Sequence, residues 1–239
     1  MKYLYLFFLA LIIPAFGIAQ FEQSIDIVGG IGTSFRSLQA DSGELAIQNI
    51  LDRRQEREIS KTSWQIGFHY NRKLTEKLRI RTGFRFASLG YDEQYRDSLR
   101  WGTYHDGQGV IMSSGLQDLE LRLSFWMFEL PMLARWEMNA KKLSPFIEFG
   151  ALPSFYVTSY GHFLIDGQGQ PHLTERYGSN VNSFHLASFA SVGVNYLMNE
   201  KLQAFIQPNI RYYFTNTSKG PIKEKLYSYG LELGLRKQI

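Results

Sequence analysis

The sequence predicts an all-β protein, namely an eight-stranded antiparallel up-and-down transmembrane β-barrel with short periplasmic turns and long extracellular loops. Apolar and polar residues alternate with a two-residue period in eight segments of the 239-residue chain, and the connections between these segments alternate between short and long. Aromatic residues at both ends of the apolar parity distinguish a membrane barrel from a soluble β-sandwich, which would show the same alternation.

The N-terminal segment has the pattern of a secretory signal peptide. Lys2 precedes an apolar run over residues 3–13, and a small-residue pattern predicts cleavage after Ala19. An apolar helix of this length rises only about 16 Å, which is too short for a bilayer core of about 30 Å. We therefore expect residues 1–19 to be removed on export and residues 20–239 to form one outer-membrane β-barrel domain.

The composition excludes several classes of function. The chain has no cysteine, which excludes disulfides, thiolate metal sites, iron–sulfur clusters and cysteine nucleophiles. Its 26 basic residues are nearly matched by 22 acidic ones, so the net charge of +4 does not favour nucleic acid as a partner. We expect neither a cofactor nor a metal site.

Eight segments alternate strictly enough to be predicted as strands with two unlike faces. Outside the N-terminal segment the longest apolar run covers only residues 125–128, which excludes a membrane-spanning helix there. The apolar parity of the eight segments runs from Ile25 to Phe35, Trp64 to Tyr70, Leu78 to Phe86, Trp126 to Trp136, Ile147 to Phe155, Phe184 to Tyr196, Leu202 to Tyr212 and Tyr227 to Leu235.

The connections between the predicted strands alternate in length. An up-and-down meander across a membrane has this pattern when its short turns lie in the periplasm and its long loops lie outside the cell. The short connections cover residues 74–77, 138–142 and 197–201, and the longer ones cover residues 37–61, 89–118, 158–181 and 215–224.

Aromatic residues and lysines predict which face meets lipid. Trp126 and Trp136 lie on one strand at a separation of roughly 24 Å along the membrane normal, which matches the apolar band of about 25 Å in outer-membrane barrels. Lysine is confined to turns, loops and strand ends. The apolar parity is therefore expected to face lipid between two aromatic girdles. The expected girdle residues are Trp64, Tyr70, Trp126, Trp136, Phe184, Tyr196 and Tyr212.

The polar parity is predicted to fill the lumen with a charge network, because eight strands leave a bore just wide enough for side chains. The planar guanidinium of arginine suits such an interior, since it binds carboxylates bidentately. Arginines outnumber glutamates, so either Glu120 and Glu137 complete the balance near the rims or water and anions do. We expect a closed lumen rather than an anion-conducting pore. The expected network residues are Arg79, Arg81, Arg85, Glu129, Arg135, Glu148, Arg211, Glu232 and Arg236.

Several segments resemble the PorT-type outer-membrane β-barrel domain family. Residues 128–136 and 145–150 look like the central hairpin of that family, and residues 229–236 are similar to its ending. The resemblance spans most of the mature chain. It implies a small eight-stranded barrel in an outer membrane and no particular activity, although one branch of the family serves a protein-secretion machine.

Two features depart from the family pattern. Pro131 lies in the middle of the fourth predicted strand, where it removes a ladder hydrogen bond, and a β-bulge facing the lumen is expected there. The chain ends in Ile239 rather than in an aromatic residue, so the signal for barrel insertion is expected to reside in Tyr227, Tyr229 and the nearby leucines.

Polar residues of the long loops are weak candidates for catalysis or metal binding, because nothing in their spacing is diagnostic. A site built from His162 and His172 would lack a fixed geometry, since both belong to one loop. The candidates for a hydrolase or acyltransferase site are His105, Asp106, Ser113, Ser114, His162, Asp166 and His172.

Two further loop motifs have structural interpretations. The tetrapeptide Asp-Gly-Gln-Gly occurs at residues 106–109 and 166–169 and predicts turns, because aspartate and glycine tolerate left-handed conformations. The mixed-charge run at residues 52–58 follows several apolar residues and predicts a short surface helix.

These observations predict a non-enzymatic integral outer-membrane protein of structural or binding type. We expect a monomer whose wall contacts outer-membrane lipid and whose extracellular loops are the interaction surface for envelope protein partners. Three alternatives stay open: a subunit of an envelope protein-secretion machine, a lipid-modifying or proteolytic outer-membrane enzyme, and a narrow channel.

Overall fold

A computed structural model of the chain confirms the predicted fold class. The described chain forms an antiparallel β-barrel of eight barrel strands, one of which is interrupted. The predicted signal peptide at residues 1–19 lies outside the described residues and stays a prediction. The structure describes residues 22–40, 45–99, 104–105, 110–111, 117–138, 142–165, 168–170, 181–219 and 222–239.

The described residues contain thirteen strands and one helix. None of the helical segments in these residues is long and apolar enough to cross a membrane. In chain order the elements are β1 (Gln23–Ala40), α1 (Leu45–Arg57), β2 (Glu58–Ile59), β3 (Lys61–Lys73), β4 (Leu78–Leu99), β5 (Tyr104–His105), β6 (Val110–Ile111), β7 (Gln117–Glu129), β8 (Met132–Glu137), β9 (Leu143–Ile165), β10 (Gln168–Gln170), β11 (Phe184–Asn199), β12 (Leu202–Tyr213) and β13 (Ile222–Gln238).

The barrel closes where β1 pairs with β13 along the whole of both strands. The order around the barrel is β1, β3, β4, β7 together with β8, β9, β11, β12 and β13. Short connections join β3 to β4, β8 to β9 and β11 to β12 at one end, which we call the periplasmic end. The helix α1 and the short strand β2 follow β1 at the opposite, extracellular end.

The two-residue period places apolar side chains outside and polar side chains inside over the membrane-spanning part. Ile27, Phe84 and Leu233 are 60%, 51% and 57% exposed on the outer wall, whereas Arg81 and Arg85 are fully buried in the lumen. A continuous apolar wall of this kind is stable against lipid and not against water. The outer wall is therefore the surface that contacts the bilayer.

The prediction of a β-bulge at Pro131 is wrong. The register with β4 is the same on both sides of the proline, because Glu129 pairs with Arg85 and Met132 pairs with Thr82. The missing amide hydrogen of proline interrupts the ladder and separates β7 from β8, but no extra residue is inserted. A register shift occurs instead further along β7, where β9 contains one extra residue.

Several barrel strands extend beyond their predicted ends, and β4, β7 and β9 extend the furthest. These three strands continue past the extracellular girdle into segments expected to be loops. The polarity of the two faces inverts there, while the direction of the side chains continues to alternate. Leu89 and Tyr91 are buried inside, whereas Asp92 and the half-exposed Arg122 lie outside. The outer face of these extensions meets water instead of lipid. The apolar-outside pattern that predicts a membrane strand therefore ends before the strand does.

Two of the smaller loop predictions can be compared with the structure. The helix expected around the mixed-charge run is present as α1 and ends at Arg57. Gln168 and Gly169 of the second Asp-Gly-Gln-Gly motif belong to β10, which pairs antiparallel with the end of β9. The first two residues of that motif, and the whole of the first motif, lie outside the described residues.

Two glycines make room for aromatic rings inside the barrel. A Cβ atom at Gly234 would lie 2.2 Å from Cζ of Phe205 on the paired strand β12. A Cβ atom at Gly193 would lie 2.4 Å from Cζ of Phe146 on β9. The two rings can occupy the narrow lumen because their neighbours in the ladder have no side chain.

We expect Gly234→Ala to lower the free energy of unfolding by about 1–3 kcal/mol, because the added methyl group overpacks the lumen against Phe205. Urea unfolding of the lipid-folded protein, followed by tryptophan fluorescence, measures the change. Gly29→Ala is the matched control, since no atom lies within 4 Å of its added Cβ. Equal destabilisation by both variants would contradict the proposed packing.

Candidate functional site

The periplasmic half of the lumen contains a continuous network of ion pairs. Arg81 donates to Glu148 at 2.9 Å, and its Nε lies 3.2 Å from the Asp26 carboxylate. Arg135 donates to the other oxygen of Glu148 at 2.7 Å, and Arg236 donates to Asp26 at 2.9 Å. All five side chains are buried. Each charge therefore depends on its neighbours, because water does not compensate it.

Two glutamates extend this network to the middle of the barrel. Glu232 lies 3.2 Å from Nη2 of Arg85 and also accepts hydrogen bonds from two glutamine amides. Glu129 accepts a hydrogen bond of 2.6 Å from the Tyr213 hydroxyl and one of 3.4 Å from Nη1 of Arg211. The carboxylates thus connect arginines on opposite sides of the bore.

All nine residues of the expected lumen network lie buried inside the barrel. Asp26 belongs to the same network but is absent from the expected set, as is Gln207, which accepts from Arg135 at 3.0 Å. Both residues occupy the polar parity of their strands. That parity is the signal in the sequence that identifies them.

The two rim glutamates differ in their positions. Glu137 lies at the periplasmic rim, where it binds Arg79 at 2.8 Å and Arg236 at 2.6 Å. Glu120 instead binds Arg122 at 2.7 Å on the outer surface of the extracellular extension. Glu137 therefore contributes to the charge balance of the lumen, whereas Glu120 does not.

The lumen arginines also stack on aromatic rings. The guanidinium carbon of Arg135 lies 4.0 Å from the ring centroid of Phe146 and 4.7 Å from that of Phe205. Arg85 lies 5.1 Å from the centroid of Phe189. Cation–π contacts in a desolvated site contribute about 2 kcal/mol each. The rings thus complete the shell around guanidinium groups whose edges bind carboxylates.

The expected charge network fills only the periplasmic half of the lumen. The extracellular half is filled by buried apolar side chains, which we call the apolar plug. Most of them come from the extracellular parts of β4, β7, β9 and β11. The plug consists of Leu89, Tyr91, Leu123, Phe125, Met127, Leu133, Leu152, Val181, Ala187, Phe189, Tyr213 and Leu226.

A second cluster of buried charges lies at the extracellular mouth, outside the lipid-facing belt. The amide and Nε of Arg36 donate to Glu58 at 2.8 and 3.1 Å, and its guanidinium also binds Glu93 and Glu224. The guanidinium stacks on Tyr91 at 3.7 Å. We call Arg36 and its three glutamates the latch. Because Glu58 directly follows α1, the latch ties the first extracellular segment to the barrel wall.

Burial raises the pKa of Glu58 and of Glu224 above the usual value of a carboxyl group. Desolvation is the largest cause in both cases, and neighbouring glutamates add repulsion. Arg36 opposes the shift at both sites. The latch therefore holds more carboxylates than its arginine fully compensates.

The expected girdle residues all lie on the outer wall, at its two ends. Near the extracellular end the indole rings of Trp64 and Trp126 meet edge to face, with 5.7 Å between their centroids. Near the periplasmic end Trp136 and Tyr196 are 49% and 42% exposed. Tyr70 shares this periplasmic end, and Phe184 and Tyr212 lie on the extracellular side of β11 and β12.

The structure describes the side chain of one expected loop candidate for catalysis. His162 is exposed on the outer surface of β9 and lies opposite Arg122 of β7 in the ladder. Among the described residues no group of three His, Cys, Asp or Glu side chains could hold a metal ion. Outside the described residues lie Asp106, Ser113, Ser114, Asp166, His172 and the side chain of His105.

Comparison with known proteins gives similar folds at low sequence identity. No family model and no curated protein matches the chain. Neisserial surface protein A is 11% identical, with 93% of this chain and 99% of that chain covered and a TM-score of 0.41. The outer membrane protease OmpT from Escherichia coli is 10% identical over 93% of this chain and 99% of that chain, with a TM-score of 0.44. The outer membrane protein OprG from Pseudomonas aeruginosa is 12% identical over 90% and 95%, with a TM-score of 0.38.

We expect Glu148→Gln to lower the free energy of unfolding by about 3–5 kcal/mol, because it leaves two buried arginines without their shared carboxylate. Urea unfolding in lipid vesicles, scored by the heat-modifiable gel migration of the folded barrel, measures the loss. The control is Glu22→Gln, which removes a half-exposed partner of Lys73 and should cost no more than about 1 kcal/mol. Equal stability of the two variants would contradict a stabilising contribution of the lumen network.

Proposed function

We propose that the chain is a non-enzymatic outer-membrane protein whose closed barrel supports an extracellular binding platform. The filled lumen is the observation that carries this proposal. Ion pairs occupy its periplasmic half, the apolar plug occupies its extracellular half, and the latch lies at the extracellular mouth. A bore filled in this way offers solutes no obvious path and leaves the extracellular surface as the part free to interact with other molecules.

The platform consists of α1, β2 and the extensions of β4, β7 and β9 beyond the girdle. A groove of about 360 Å³ lies on it, lined by Glu56, Arg57, Ile59 and Gln94. This volume falls near the lower end of the range of pockets that bind small molecules. Ile59 is 40% exposed there and offers an apolar contact between charged neighbours. We propose this groove as the contact site for an envelope protein partner.

The outer membrane is the proposed location of the protein. An apolar wall bounded by two aromatic girdles requires a bilayer, and closed barrels with short turns and long loops are the form that such proteins take in outer membranes. The resemblance to the PorT-type family and the signal peptide pattern agree with this location. Membership of that family, export through the signal peptide and a monomeric state are parts of the same proposal.

A test of the closed lumen uses planar lipid bilayers. We expect the folded wild-type protein to produce no unitary current steps. The positive control combines Leu152→Ala and Phe189→Ala, which truncate the apolar plug and should allow ion flow, with folding verified by heat-modifiable migration. Unitary conductance of the wild type would support the narrow channel and overturn the closed lumen.

A test of the platform uses the latch. We expect Arg36→Met to increase trypsin cleavage within residues 45–57 on intact cells by about tenfold or more, because the buried glutamates lose the group that holds Glu58 to the wall. Arg122→Met is the matched control, since its ion pair with Glu120 lies on the exposed outer surface. Cross-linking of envelope proteins should fall in the latch variant alone. Unchanged cleavage and unchanged cross-linking would contradict the platform.

A further inference from the structure

The charges enclosed in the middle of the lumen do not balance. At the periplasmic rim Glu22 pairs with Lys73 and Arg79, and Glu137 is shared between Arg79 and Arg236 of the interior. The rim adds two basic and two acidic side chains, so it leaves the charge difference further inside unchanged. Further inside, the arginines of the described residues exceed the carboxylates by one. An uncompensated buried charge is costly. The enclosed residues are Arg81, Arg85, Arg135, Arg211 and Arg236 against Asp26, Glu129, Glu148 and Glu232.

The latch does not supply the missing negative charge. Its glutamates exceed the arginines that bind them, Arg36 and the exposed Arg54, by one. Burial raises the pKa of Glu58 and of Glu224, however, which favours their neutral form. Leu226 of the apolar plug is fully buried between the two clusters on β13. The spare positive charge of the lumen therefore needs a closer partner.

The spare charge falls on Arg85 and Arg211, which share Glu129. None of the three guanidinium nitrogens of Arg85 has a hydrogen-bond partner in the protein, and Arg211 is the one of the two that lines a small cavity. The Glu129 carboxylate also accepts from the Tyr213 hydroxyl at 2.6 Å and lies 4.0 Å from Nε of Arg85. The contact between Arg211 and Glu129 is long, at 3.4 Å. Nε of Arg211 is buried and has no hydrogen-bond partner in the protein. Arg211 thus retains both an unused donor and an incompletely compensated charge.

Arg211 and Asn209, two positions apart on β12, line the same small cavity, which we call the notch. The volume of the notch is about 10 Å³. Nδ2 of Asn209 is also buried without a partner. Glycines on β1 and β13 leave the opposite wall bare. The notch is further lined by Gly30, Gly32, Ser63, Gln65, Ser228 and Gly230.

We propose that the notch binds one small monovalent anion of about the size of chloride, held by Nε of Arg211 and Nδ2 of Asn209. A cavity of this volume holds one water-sized occupant, which excludes sulfate and phosphate. A single negative charge restores neutrality in the middle of the lumen, whereas a divalent anion would reverse the imbalance. Water is the competing occupant, because Gln65 offers an unpartnered acceptor oxygen to the same cavity.

The first experiment identifies the occupant directly. The protein is refolded and crystallised in sodium bromide, and diffraction is measured at the bromine absorption edge. We expect an anomalous difference peak in the notch within hydrogen-bond distance of Arg211 and Asn209. An ordered water in the notch without anomalous signal would overturn the proposal.

The second experiment measures the effect of the anion in solution. At constant ionic strength, the unfolding midpoint of the wild type should rise as sodium gluconate, whose anion is too large for the notch, is replaced by sodium bromide. Asn209→Asp supplies a carboxylate in the notch and should abolish this response. Asn195→Ala, which alters a buried asparagine at the periplasmic end, should retain it.

A third variant keeps the test decisive if Asn209→Asp does not fold. Asn209→Ala removes one donor and keeps the charge of Arg211, so the apparent affinity for bromide should fall by about tenfold, as expected for one hydrogen bond to a charged group. The same bromide response in the wild type and in every folded variant at position 209 would refute the site.

Discussion

The narrow closed bore is the constraint on which the rest of the structure depends. Eight strands commit every inward side chain to a space that other side chains must fill, so an arginine placed there has to find a carboxylate inside the same barrel. Glu148 serves both Arg81 and Arg135 for this reason, and Asp26 serves Arg81 and Arg236. The same lack of space explains two other features of the lumen. Aromatic rings stack on the guanidinium faces, and glycines in the neighbouring strands leave room for those rings.

The change of medium at the extracellular girdle explains why the lumen has two unlike halves. Below the girdle the outer wall meets lipid, so apolar residues face outward and polar residues face inward. Above it the outer wall meets water while the strands keep their geometry, so the same alternation places Leu89, Leu123 and Phe125 inside. The apolar plug is thus formed by strands that continue beyond the membrane. The latch lies above the plug, where buried charges again require one another.

Sequence alone predicts those features that depend on local alternation. The eight barrel strands, the lipid-facing parity and the positions of the lumen arginines follow from a period of two residues. Pairing partners do not, because Arg236 and Asp26 are 210 positions apart and only closure of the barrel brings them together. Phe146 and Phe205 belong to the polar parity of their strands. Their packing against Arg135 cannot be predicted from the sequence, because it depends on which strands meet in the lumen. The effect of Pro131 depends on the register of two neighbouring strands, which the proline itself does not determine.

The ion-pair network and the apolar plug both fill the lumen, and this limits where a function of this protein can reside. A solute that crosses the barrel would have to displace the apolar plug and also separate ion pairs whose members are buried on every side. Breaking one such pair costs about 3–5 kcal/mol, and several pairs share members, so they would have to open together. The extracellular extensions carry no such cost, because their outer faces are already solvated and the segment of α1 is joined to the wall through the latch. Binding at that surface, with the lumen serving as a rigid support, is the function we propose, because it requires the least rearrangement of the fold.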